Sequence, residues 1–186
     1  MDSIGITGNP GTGKKTIASK LSEKINLDIF DINRFIIENK YGQYEKDQLI
    51  INDISQIENA IKQKIEGKKF IIIGHLLPEL IKKESLWKIF VLRCEPNILI
   101  DRYKLRNYEE SKIKDNIVSE LIGTICYESI MKYGDNKTYE INVSNQSVDN
   151  IVNEINNIID NNIKSTNNID WLELAHKSEN LRRYLN

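Results

Sequence analysis

Apolar positions along this chain follow two rhythms that alternate from end to end. Residues 69–73 (KFIII) and 87–92 (WKIFVL) are short continuous apolar runs, the pattern of parallel strands covered on both faces. Residues 3–7 (SIGIT), 27–30 and 138–143 read as further strands. Between them the spacing lengthens to that of helices. Ile17, Leu21 and Ile25 recur every four residues across 14–25, and Ile54, Ile57, Ile61 and Ile65 share one face across 53–66. Helices are also expected over 32–40, 97–105 and 109–133. A last one is expected over 148–163, from Val148, Ile151, Val152, Ile155, Ile158 and Ile159. Residues 41–48 read as a polar break. Strands alternating with helices predict an α/β fold, one sheet with helices on both faces.

The end of the chain reads differently. Residues 164–168 (KSTNN) resemble a linker, and 169–185 predict an amphipathic helix carrying Trp171, Leu174, Leu181 and Tyr184. Such a helix is expected to pack on its own domain. The expected division is a single domain over 1–163 followed by this linker and helix over 164–186.

Composition narrows the picture only a little. The 186 residues carry a formal net charge of -1, which gives no global attraction to nucleic acid or to an anionic membrane. The two cysteines, Cys94 and Cys126, lack zinc-site spacing and predict small buried groups in a reducing compartment. No stretch approaches the ~18 apolar residues of a membrane span, and the N-terminus lacks the features of a signal peptide. A cytoplasmic location is therefore expected.

The strongest chemical signal is GNPGTGKKT, which follows the first strand and opens a helix. It is nearly a phosphate-binding P-loop, G-x-x-x-x-G-K-[ST], with Gly8, Gly13 and Lys14 in place. Gly11, Gly13 and the first helical amides are expected to wrap phosphate oxygens, and Lys14 to reach the β and γ phosphates. The departure is Lys15, where a Ser or Thr would ligate magnesium; an ammonium has no lone pair to offer. Thr16 comes one residue late, about 100° further round the helix, and is expected on the α-phosphate side. Lys15 either points to solvent, leaving magnesium to phosphates and water, or its charge partly replaces the metal. The usual second determinant, an acid at the end of a later strand, is missing from KFIII: Ile73 stands there, followed by Gly74 and His75. No side chain is therefore expected to hold a metal.

With these residues in hand, the chain resembles the CINAP-type adenylate kinases, as an archaeal-like member. The resemblance rests on GNPGTGKKT, on GHLLPE after the third strand, and above all on FVLRCEPNILIDRYKLRNYEESKIKDNIVSEL. It extends over residues 3–163. It implies a P-loop nucleoside monophosphate kinase fold of five parallel strands, with a monophosphate-binding segment at 31–53 and a lid at 105–115. It also implies phosphoryl transfer from ATP to AMP, an accompanying ATPase activity, magnesium carried by the nucleotide, and a role in maturation of the small ribosomal subunit beside a platform ribosomal protein. Arg106 would reach the transferred phosphates, since arginine offers fixed, always-charged donors. His75 matches the histidine of the family's D-x-H segment, whose aspartate is replaced by Ile73, and would orient a water or contact a phosphate. The expected catalytic residues are thus Lys14, His75 and Arg106, and the expected nucleotide-binding set adds Gly11, Gly13, Lys15 and Thr16. Two further departures from the family concern the acceptor and base sites. An acid-rich run is reduced to Tyr44, Glu45, Lys46 and Asp47, and Asn145 stands where a lysine near the adenine is usual. The residues leave a second reading open: a nucleotide-binding assembly factor with weak kinase chemistry, using ATP as a switch.

Overall fold

The computed structural model describes residues 2–46, 48–161, 163 and 169–185. Strand β1 (Ile4–Thr7) leads through the glycine-rich turn into α1 (Lys14–Ile25), and β2 (Asp28–Asp31) runs directly into α2 (Ile32–Glu38). A hairpin of β3 (Gly42–Glu45) and β4 (Gln48–Ile51) precedes α3 (Ile54–Ile65) and β5 (Phe70–Ile73). The one-turn α4 (Leu77–Leu80) follows, then β6 (Lys88–Arg93), α5 (Pro96–Leu105), α6 (Glu110–Ile122) and α7 (Thr124–Tyr133). The chain ends with β7 (Thr138–Asn142), α8 (Val148–Asn161), α9 (Trp171–Lys177) and α10 (Glu179–Arg182).

Five strands form one parallel sheet in the order β2-β5-β1-β6-β7, which is the nucleotide-kinase arrangement expected above. The twofold alternation of side chains divides its residues between two cores. Ile71, Ile73, Phe90 and Leu92 pack on one face with α1, α5, α6, α8 and the tail. Ile72, Ile89 and Val91 pack on the other with α2, α3, α4 and α7. Because β1 lies at the centre, its C-terminal end brings the P-loop to the middle of the sheet's carboxyl edge. Asp31 at the end of β2 and Ile73 at the end of β5 are paired neighbours in register.

Three elements differ from the sequence reading. The polar break at 41–48 is occupied by an antiparallel hairpin, Gly42 to Glu45 against Gln48 to Ile51. Its strands are mostly exposed, so no apolar alternation announced them. The single helix expected over 109–133 is two helices, because Gly123 adopts φ 69° and ends α6 in a left-handed conformation. A side chain there would also press on the Arg93 guanidinium, 3.2 Å from the position of a Cβ. The tail, expected as one helix, is two short ones separated at Ser178, whose extended backbone (φ -122°, ψ 115°) interrupts them. Asp170 caps the first by accepting from the Leu172 and Glu173 amides. The tail does pack on its own domain: Ala175, Leu181 and Tyr184 are buried in the first core. The linker expected at 164–168 lies outside the described residues. Cys94 and Cys126 are buried and free; burial raises their thiols to about 11 and about 12, so both are unreactive near neutrality.

Candidate functional site

The turn at residues 8–13 requires its glycines for two different reasons. Gly8 has φ 134°, and a Cβ there would lie 2.4 Å from the Leu92 carbonyl oxygen, so β6 leaves no room for a side chain. Gly13, at φ 92°, begins α1 without a side-chain cap, and no acidic residue occupies the helix's first turn. The N-terminal amides of a twelve-residue helix therefore face the turn with their partial positive charge uncompensated. Lys14 Nζ donates to the carbonyl oxygens of Gly8 (2.7 Å) and Asn9 (2.8 Å). Burial pushes its pKa down to about 7; Glu120 opposes the shift, and the Arg106 charge adds to it.

Behind the turn stands a scaffold of neutral and charged bonds. Arg102 Nη1 donates to Gly11 O at 2.8 Å, and Tyr103 OH donates to Pro10 O at 2.6 Å. The ring of Tyr103 stacks on that of Tyr108 at 5.4 Å. Asn9 Nδ2 donates to Glu120 Oε2 at 2.8 Å. The other Glu120 oxygen accepts from Arg93 Nε (2.8 Å), the Cys94 amide (3.1 Å) and Trp171 Nε1 (3.0 Å). One wholly buried carboxylate thus joins the P-loop, the end of β6 and the tail. Arg93 also pairs with Glu140, whose second oxygen accepts from the Ile169 amide.

Lys15 reaches across from α1 to β2, where its Nζ lies 2.8 Å from Asp31 Oδ2. The lysine side chain is 77% exposed and the aspartate 13%. Asp31 Oδ1 meanwhile accepts from the Arg34 amide at 3.2 Å and so caps α2. This corrects the first account of Lys15 offered by the sequence: its ammonium does not simply point to solvent but is paired with a carboxylate. The strand that KFIII forms does end at Ile73 without an acid, but its neighbour β2 ends at Asp31. The acid is present one strand over from Ile73, with both of its oxygens engaged.

The turn opens into a cleft of about 660 Å³. One wall comes from 31–53, through Asn33, Tyr44 and Lys46, and the other from 105–115, through Tyr108 and Lys112. Lys14, Lys15, Asp31 and His75 line its floor. Two buried amide atoms without partners, Asn33 Oδ1 and Asn116 Nδ2, belong to residues that line the cleft. His75 is pushed down to about 4, first by burial and then by the charges of Lys14 and Lys112, and is neutral near pH 7. Arg106 caps the end of α5, and its Nη1 lies 3.8 Å from where a Cβ on Gly11 would be.

Of the residues singled out from the sequence, Gly11, Gly13, Lys14, Lys15, His75 and Arg106 are brought together around the turn. Thr16 is exposed on the first turn of α1, one position past the Lys15–Asp31 pair. Asp47 lies outside the described residues; Asn145, exposed beyond β7 with φ 54°, is not among the residues that line the cleft. The sequence reading missed Asp31, Asn9 and Glu120; Arg102, not singled out there, holds the P-loop backbone through Gly11 O. The signal available for Asp31 was its place at a strand end before a helix; for Glu120, nothing local marked it as buried.

A side-chain magnesium site does not fit these residues. The position after Lys14 holds a donor without lone pairs, and Asp31 is committed to a helix cap and an ion pair. Among the described residues no group of three or more His, Cys, Asp or Glu side chains could hold a metal ion.

Residues 4–123 match the AAA domain family. The chain is 30% identical over 172 residues to the "Putative adenylate kinase" of Pyrococcus furiosus, an alignment covering 92% of both chains. It is 33% identical over 174 residues to the protein of the same name from Methanocaldococcus jannaschii, covering 91% of this chain and 93% of that one. Among solved structures it is similar to shikimate kinase from Bacteroides thetaiotaomicron, with a TM-score of 0.58 and 15% identity over 85% of this chain and 98% of that one. It is also similar to a gluconokinase from Sinorhizobium meliloti, with a TM-score of 0.51 and 16% identity over 82% and 88%. At such identities the structural likeness speaks for the fold alone.

Proposed function

The chain belongs to the AAA domain family, within the group of P-loop proteins whose archaeal members carry the adenylate kinase name, and on that premise we propose that it is a nucleoside monophosphate kinase transferring the γ-phosphoryl group of ATP to AMP, reversibly. One juxtaposition carries the reading: a P-loop with uncompensated helix amides and a half-buried lysine opens straight into a cleft of about 660 Å³ lined by the segments at 31–53 and 105–115. Such a cleft is large enough for a nucleotide.

In this reading the wall at 31–53 receives the monophosphate and that at 105–115 closes over the triphosphate. The P-loop amides and Lys14 hold the β and γ phosphates, Lys14 exchanging the Gly8 and Asn9 carbonyls for phosphate oxygens. An oxygen of the AMP phosphate attacks the γ phosphorus in line. The bond to the β–γ bridging oxygen breaks, and two ADP result. The protein's work is positioning and charge stabilisation, with Arg106 meeting the transferred group. Neutral His75 contacts a phosphate or orients a water; when water replaces AMP as acceptor, the same site is a slow ATPase. Magnesium, when present, supplies charge neutralisation on the nucleotide itself.

A second reading is favoured by Lys15, which removes the usual metal-binding hydroxyl. There the protein is a cytoplasmic assembly factor for the small ribosomal subunit, binding a platform protein and switching with nucleotide state, as its family resemblance implies. Among the described residues no helix is long and apolar enough to cross a membrane. A coupled assay of ADP formation from ATP with each nucleoside monophosphate tests the kinase reading, with Lys14→Ala as control. Monophosphate-dependent turnover abolished by Lys14→Ala is expected; turnover indifferent to every monophosphate would leave the switch as the better account.

A further inference from the structure

We propose that Lys15, braced by Asp31, is this site's built-in counter-charge, standing in for the divalent cation so that nucleoside di- and triphosphates bind as metal-free anions nearly as well as their magnesium complexes. The inference rests on the kinase reading only in requiring that a nucleotide polyphosphate occupy the P-loop.

Position is the first observation. Lys15 follows the P-loop lysine directly, at the point where a hydroxyl would meet a metal ion. The second is the state of the nearest acid. Asp31 gives one oxygen to the Arg34 amide at 3.2 Å and the other to Lys15 at 2.8 Å. Ligating a cation would require it to abandon the cap of α2 or the ion pair. The third is accessibility. Asp31 is nearly buried, while the Lys15 side chain is 77% exposed and lines the cleft.

An exposed pair of this kind adds little to stability. Its value lies in pre-positioning: the aspartate tethers a compact positive charge on a flexible stem beside the phosphate-binding turn. From there the ammonium can swing toward a phosphate oxygen while remaining within Coulombic reach of the carboxylate. The neighbouring Lys14 already senses both Asp31 and Lys15, which places all three groups in one electrostatic cluster.

The pair is neutral overall, whereas magnesium with one carboxylate would be singly positive. A residual preference for the magnesium complex is therefore expected, roughly fivefold in Kd for one unit charge at ~4 Å in water-like surroundings. Removing Lys15 frees Asp31. A hydroxyl installed at that position would then lie beside the Asp31 Oδ2 freed from the ion pair, while Oδ1 keeps the cap of α2, so that a hydroxyl and one carboxylate oxygen become available to a metal.

The test is calorimetric titration of ADP into the full chain, in excess magnesium and in chelator, for wild type, Lys15→Ala and Lys15→Thr. Wild type is expected to change by about fivefold or less on chelation. Lys15→Ala should lose about tenfold in metal-free affinity, and Lys15→Thr should gain a magnesium dependence of about tenfold or more. A wild-type affinity that collapses tenfold on chelation would overturn this proposal alone, as would Lys15→Ala binding metal-free ADP like wild type. ADP that binds in neither buffer would overturn the kinase reading as well.

Discussion

Replacing Glu120 by Gln removes a charge from a site with no solvent exposure and turns one acceptor oxygen into a donor. Three N–H groups converge on Oε1, from Arg93, Cys94 and Trp171, at 2.8, 3.1 and 3.0 Å. A glutamine oxygen could keep those three, but its amide would then face the donor Nδ2 of Asn9, now 2.8 Å from Oε2. Asn9 must rotate its own amide or lose the bond. Arg93, 4% exposed, would retain only the Glu140 half of its charge compensation. Breaking a buried pair by removing one partner costs about 3–5 kcal/mol, and because Glu140 remains the lower end, about 3 kcal/mol, is expected. For a chain of this size that corresponds to a fall in Tm of about 6–12 °C. Thermal and urea denaturation measure it, and Trp171 fluorescence should shift as the indole N–H loses its ionic acceptor. Because the Asn9 carbonyl also receives Lys14 and Thr12, ADP affinity should fall with stability. A Glu120→Gln protein within ~1 kcal/mol of wild type, binding ADP normally, would refute the view that this carboxylate holds the P-loop to the fold.

Two further outcomes follow from the P-loop itself. Lys14, lowered to about 7 by burial, is largely uncharged above that pH in the free protein, whereas bound phosphates would hold it protonated. Binding of ADP at pH 8 should therefore take up ~0.9 proton, and affinity should fall up to ~10-fold per pH unit above 7. Calorimetry in buffers of different ionisation enthalpy reads this, and binding without proton uptake at pH 8 would contradict it. Gly8→Ala would place a Cβ 2.4 Å from the Leu92 carbonyl oxygen at φ 134°, and should cost ~2–3 kcal/mol together with most ADP affinity. Wild-type denaturation and binding in that variant would show that the turn is looser than its geometry.

Much of the fold was legible because a buried parallel strand and an amphipathic helix each write a periodic signature into contiguous residues. KFIII and WKIFVL are β5 and β6 to within a residue at each end, and the isoleucine stripe of 53–66 is α3. The hairpin at 42–51 was illegible because most of it is exposed, so no alternation of burial was selected. The break at Gly123 was missed because an amphipathic pattern continued across it; the left-handed turn shows only in the backbone.

The site divides in the same way. GNPGTGKKT by itself determined a phosphate-wrapping turn and a lysine at the head of a helix, because backbone conformation and neighbouring side chains act within one short segment. Lys15 was visible as a departure, but its partner was not. Only the tertiary structure decided that Asp31, ending the edge strand β2, would meet it, because the sheet order carries β2 to the same carboxyl edge as the P-loop. Only the packed core decided that Glu120 would join Asn9 across 111 residues of chain, since a charge becomes a structural hub through the water excluded around it.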